Sequence, residues 1–104
     1  MSGRKFRILP AADAEYDEQL RWLDERDVAV ARKFAGRIED ALNEIREYPT
    51  RYPLHLGAFR SRLVFGFRTH IVYVVTDYEI LVVAIAHTSR RPGYWRDRVD
   101  DRGY

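Results

Sequence analysis

Three histidines, His55, His70 and His87, are the side chains of this sequence best suited to exchanging protons near neutral pH. His70 and His87 fall in two apolar stretches, RTHIVYVV and EILVVAIAH, joined by a tight turn around Asp77 and Tyr78. Pairing Val75 with Ile80 across that turn sets His70 opposite Ile85 and His87 opposite Arg68. In this register all four side chains share one face of a sheet, and the two histidines are diagonal neighbours about 7–8 Å apart. Arg60 and Arg62, on the preceding strand, are expected on the same face. Such a set can cleave RNA. A base takes the 2′-OH proton, guanidiniums stabilise the charged phosphorane, and an acid protonates the leaving 5′-oxygen. The same residues also suit a structural role, with His70 packed inside a sheet and His87 ending a strand.

The second candidate is the segment ILVVAIAHTSRRPGYWRDR. At His87 an unbroken apolar run changes into Arg90, Arg91, Pro92, Gly93, Tyr94, Trp95, Arg96 and Arg98. Guanidiniums suit carboxylate or phosphate partners, and aromatic rings anchor interfaces. Residues 88–104 therefore read as a basic, aromatic tail on a single domain, 1–104. One reading is a solvated tail. The other is an anchoring surface in which Tyr94 and Trp95 supply contact and the arginines supply orientation. On that second reading, removing everything after Ser89 leaves the fold largely intact. The sequence holds no glycine-rich phosphate loop, no metal-spaced His/Cys set and no nucleophile elbow. Neither a metal nor a cofactor is expected.

The elements that must hold these residues follow from periodicity. Lys5–Leu9 alternates and reads as a short strand. Pro10 suits the start of a helix, placed over Ala11–Arg26, in which Ala12, Tyr16, Leu20 and Leu23 form one stripe. Trp22 lies off that stripe, free to pack on a second helix. Asp27 is a good N-cap for that helix, Val28–Tyr48, whose stripe is Val30, Phe34, Ile38, Ala41, Leu42 and Ile45. Pro49 ends it. Three strand candidates follow: Ala58–Val64, Arg68–Val75 and Glu79–His87. The expected class is α+β in the order β-α-α-β-β-β, with the helical hairpin on one face of a small antiparallel sheet. The stripes should bury against Ile71, Tyr73, Val82 and Ala84. The other face is left to Arg60, Arg62 and the tail.

The 104 residues suffice for one core. No apolar run approaches the roughly 20 residues of a membrane span. The opening MSGRKFRILP lacks the apolar region of a signal peptide, and there is no Cys, so a cytoplasmic protein is expected. Charge is uneven: residues 10–48 carry −5 and residues 49–104 carry +4. That asymmetry favours an acidic partner on the C-terminal half. Sixteen of the eighteen basic residues are Arg, for which a GC-rich genome is a sufficient explanation.

Taken together, LPAADAEYDEQLRWL, AVARKFAGRIEDALNEIREYP, FRTHIVYVV and the ending resemble the RelE/ParE superfamily of toxins from bacterial type II toxin–antitoxin pairs. The ending, A-x-A-H followed after two residues by R-x-P-x-Y-W-x-x-R, is similar to the ParE and plasmid-stabilisation branch. The resemblance implies a ParD-like antitoxin whose ribbon-helix-helix part binds DNA and whose C-terminal segment wraps the toxin, so that this chain meets DNA only through its antitoxin. It implies a toxin that inhibits DNA gyrase by protein contact, with Arg90, Arg91, Tyr94, Trp95, Arg96 and Arg98 as target-binding residues. Arg60, Arg62, Arg68 and Trp22 are the candidates for antitoxin contact. RelE-type relatives instead cut mRNA on the ribosome using lysines, arginines and a terminal tyrosine or histidine. Here both lysines, Lys5 and Lys33, lie outside the sheet, and His87, His70, Arg60, Arg62 and Tyr94 are the residues left to substitute. A module that has lost toxicity and only binds its antitoxin is the third possibility.

Overall fold

In a computed structural model, which describes residues 3–99, the chain runs β1 (Lys5–Ile8), α1 (Pro10–Asp24), α2 (Val28–Glu47), β2 (Phe59–Val64), β3 (Thr69–Val75) and β4 (Glu79–His87). A 3-10 turn at Arg96–Arg98 closes the order. This is the expected α+β arrangement. The strands form one sheet in the order β1-β4-β3-β2. β2, β3 and β4 are an antiparallel meander, and β1 adds to the far side of β4 in parallel.

Pro10 opens α1 with no side-chain cap, whereas Asp27 caps α2 by accepting from Ala29 N at 3.0 Å and Val30 N at 3.3 Å. The tight connection makes the two helices an antiparallel hairpin over one sheet face. Phe34, Ile38, Ala41 and Ile45 are buried there with Ile71, Tyr73, Ile80, Val82 and Ile85. Tyr16, Leu20, Leu23 and Leu42 are half-buried against the same cluster. α2 therefore supplies most of the helical core, and α1 lies nearer the margin. Trp22 does not pack on α2. It is 54% exposed, with the Arg26 guanidinium 3.7 Å above its ring.

The second face has its own core. Phe59, Val72, Val74, Leu81, Val83, Ala84 and Ala86 pack there, and Trp95 closes over them. β4 is thus apolar on both sides, as its unbroken hydrophobic run requires. One irregularity sets which residue points where. Tyr73 pairs with Val82 but Val72 pairs with Ala84, so Val83 is an extra residue, a β-bulge. Beyond the bulge the alternation changes phase. Ala84, expected under the helices, is on the second face in consequence.

Candidate functional site

The bulge undoes the proposed histidine pair. Up to Tyr73 the register is the one expected from Val75 opposite Ile80; after it, His70 faces Ala86 and His87 faces Thr69. Thr69 points to the helices, where its hydroxyl donates to Gln19 Oε1 at 2.7 Å. His87 consequently lies on the helical side, and its Nδ1 accepts from Ser89 N at 3.1 Å. His70 is on the opposite side, 2.7 Å from Ser61 Oγ and 6.4 Å from the His55 ring. Burial, then the neighbouring His55, holds the His70 imidazole below its ordinary pKa.

Arg60 and Arg62 are not with His70 either. They alternate with Phe59, Ser61 and Leu63 and so face the helical side. Arg60 donates to the carbonyl of Tyr52 at 2.6 Å, and Arg62 pairs with Glu44 at 3.0 Å. Tyr52 and then Arg62 hold the Glu44 carboxyl below the usual carboxylate range. Arg60 thus holds the loop after α2 and Arg62 is tied to α2 itself, so neither lies open on a bare face, contrary to what alternation alone suggests.

A network that periodicity did not reveal joins α1, β4 and the tail. β1 ends beside Val82, which leaves the next stretch of β4 without a neighbouring strand. Side chains supply the missing bonds. Glu15 accepts from Ile85 N at 3.1 Å, Gln19 Nε2 donates to Ile85 O at 2.8 Å, and Arg98 donates to Val83 O at 3.0 Å. Arg98 also grips Glu15 with both terminal nitrogens, at 2.9 and 3.1 Å, and Tyr94 donates its hydroxyl to the same carboxylate. Burial, then Glu15, raises the Tyr94 pKa well above its ordinary value, so the phenol stays protonated. Read from sequence, Glu15 is one of several acids favoured by the helix dipole. The signal that marks it is spacing: Glu15 and Gln19, four apart, flank the buried stripe.

The tail is folded against the sheet. Trp95 is 1% exposed and its ring meets Phe59 at 4.6 Å and His55 at 6.2 Å. An exposed aromatic anchor at Trp95 is thereby corrected, because an apolar second face needs a cover and this indole provides it. Loss of everything after Ser89 removes this cover from the second face, which argues against the expectation that the fold survives it. Tyr94 is half-buried, and Arg98 is bound to Glu15. Of the tail residues singled out as target contacts, Arg90, Arg91 and Arg96 are exposed. Arg90 lies 4.1 Å over the Tyr94 ring. Residues 100–104 of the expected tail lie outside the described residues.

Between α1, the start of α2 and the β2–β3 turn lies a groove of about 680 Å³. Trp22, Leu23, Val30, Phe34 and Phe67 line it with apolar surface, while Glu18, Arg68, His87, Arg90 and Tyr94 add polar groups. Arg68 holds φ at +50°, a conformation uncommon for a non-glycine residue. Of the four candidates for antitoxin contact, Trp22 and Arg68 line this groove, and Arg60 and Arg62 do not. Among the described residues no group of three His, Cys, Asp or Glu side chains is placed to hold a metal. No helix among them is long and apolar enough to cross a membrane.

The arrangement has counterparts among solved structures. The chain is similar to one from the chromosomal ParDE toxin–antitoxin system of P. aeruginosa, with a TM-score of 0.72 and 13% identity over 84% of this chain and 98% of that one. It is also similar to a chain of the YoeB dimer from Staphylococcus aureus, with a TM-score of 0.53 and 16% identity over 80% and 94% of the two chains. At these identities the likeness concerns the fold. No curated protein matches by sequence. The model of the ParE toxin of the type II toxin–antitoxin system parDE matches residues 6–92, from β1 through β4 into the tail, and on that match the chain belongs to the ParE toxin family.

Proposed function

We propose that this chain is the toxin of a type II pair, that it inhibits DNA gyrase by protein contact without making or breaking a bond itself, and that a ParD-like antitoxin neutralises it. One observation carries the choice of contact over cleavage: His70 and His87 lie on opposite faces of the sheet. Acid–base cleavage of RNA needs a base and an acid within reach of one phosphodiester. The other groups of that reading are engaged within the chain. Tyr94 is a protonated donor to Glu15, Arg60 holds the loop after α2, and Arg62 is paired with Glu44 of α2.

The groove beside Trp22 suits the antitoxin. Its apolar lining fits the anchors of an amphipathic segment, and Arg68, exposed at its rim, fits a carboxylate. The test is expression of the chain without its antitoxin, together with a His87→Ala variant. Filamentation and a DNA-damage response, with supercoiling by purified gyrase inhibited, are expected from both proteins. Immediate translation arrest with cut transcripts, lost in His87→Ala, refutes the proposal, since loss of proton transfer costs roughly 10²–10⁴ in rate.

A further inference from the structure

Because Trp95 is enclosed, other residues make the surface that the second sheet face presents to solvent. Leu63 is 58% exposed and Leu56 41%. Leu63 pairs with His70 on β3, His70 neighbours His55, and His55 neighbours Trp95. Leu56 follows His55 in the chain, and a Cβ added at Gly93 would come within 3.2 Å of both Leu56 Cδ1 and Arg96 Nε. A continuous strip therefore runs from Leu63, past the two histidines, to Leu56 and Arg96.

Two features of this strip are not explained by the fold. The first is Leu56, which adopts φ +61° and yet keeps 41% of its surface exposed. Strained backbone persists where the surroundings hold it and concentrates at binding surfaces. The second is charge. Arg91 and Arg96 are exposed and form no ion pair among the described residues, and Asp97 is the sole carboxylate of residues 88–99. Exposed leucines beside the unpaired guanidinium of Arg96 have the composition of a protein interface, apolar at the centre and charged at the rim.

We infer that this strip docks an acidic protein segment with an apolar centre, a carboxylate on Arg96 and its apolar side chains on Leu56 and Leu63. The inference rests on the reading that the chain acts by protein contact, and it assigns the target to the sheet face opposite the antitoxin groove. The guanidinium–carboxylate pair supplies direction and the leucines supply the buried area.

The full chain is tested as Leu63→Asp and Arg96→Glu, with Leu63→Ser and Arg96→Gln as substitutes should either charged variant melt early. Growth inhibition, antitoxin capture and inhibition of purified gyrase holoenzyme are measured together. Each variant should inhibit roughly 10–30-fold more weakly, the scale of an interface hot spot, with antitoxin capture unchanged. Undiminished gyrase inhibition by both variants overturns the strip and leaves the gyrase reading standing. A wild-type chain that spares gyrase, with growth inhibition nevertheless lost in Leu63→Asp, overturns the gyrase reading and keeps the strip for another protein. A wild-type chain without effect on growth or gyrase overturns the strip. Salt-steep binding of short duplex DNA, lost in Arg96→Glu and kept in Leu63→Asp, overturns the choice of a protein partner.

Discussion

Replacing Trp95 by Ala separates a residue of the core from a residue of an interface. The indole is 1% exposed and lies 4.6 Å from the Phe59 ring, over the side of the sheet that the helices do not reach. Truncating a buried Trp to Ala costs about 3–5 kcal/mol, the lost transfer free energy plus the cavity left behind. A domain of this size has about 5–15 kcal/mol of stability in all. At about 4 °C per kcal/mol, the melting midpoint should fall by about 12–20 °C. Trp95→Phe keeps a ring against Phe59 and should cost only about 1–2 kcal/mol. The assay is thermal unfolding followed by circular dichroism, with fluorescence in a Trp22→Phe background so that the emission comes from Trp95 alone. A buried indole emits at short wavelength and shifts on melting. If Trp95→Ala melts within about 2 °C of the wild type, the indole is not core and the account of the second face is wrong.

Glu15→Ala removes the acceptor for Ile85 N, Tyr94 and Arg98, and should cost about 2–4 kcal/mol in urea unfolding because the partners lose a charged acceptor in a partly buried site; an unchanged midpoint refutes the capping role. The depressed His70 pKa makes the unfolded chain bind a proton more readily than the folded one. The contribution is therefore fully present above the unfolded value of 6.5 and is lost as pH falls through the folded value. Unfolding free energy should decline between pH 7.5 and 5.5, and less steeply in His70→Gln. Arg68→Glu should weaken antitoxin capture by roughly tenfold, about 1.4 kcal/mol, in a titration of the purified pair, while Arg60→Gln leaves capture unchanged and lowers the melting point.

Elements that depend on local pattern were readable in the sequence, and those that depend on one tertiary insertion were not. The stripe of α2 from Phe34 to Ile45, the Asp27 cap and the break at Pro49 appear as expected, because each expresses a local preference; Val30, expected in the same stripe, is exposed at the start of the helix. The β4 run reads from sequence as an unbroken apolar strand, and it is. Its side-chain phase is not legible there, because no composition signal marks Val83 as the extra residue. From that one residue follow the separation of His70 from His87 and the turning of Ala84 away from the helices. Arg60 and Arg62 were misplaced for a related reason: alternation tells which residues share a face, but not which face the helices cover. The guanidiniums around Trp95 in sequence suggest an anchor, whereas in space its ring meets Phe59 and His55.

The short length of β1 has a consequence for association between molecules. A strand that ends at Ile8 leaves β4 with an open ladder beyond Val82, and an open ladder is a template on which another chain can add a strand. Glu15, Gln19 and Arg98 occupy the donor and acceptors at Val83 and Ile85. They place charge and side-chain bulk where a foreign backbone would lie. The tail therefore covers part of an edge that is otherwise open to strand addition. In a chain clipped before Arg98 the acceptor at Val83 is uncovered and Glu15 loses its counter-charge, so association through that edge is the expected outcome, read by size-exclusion chromatography.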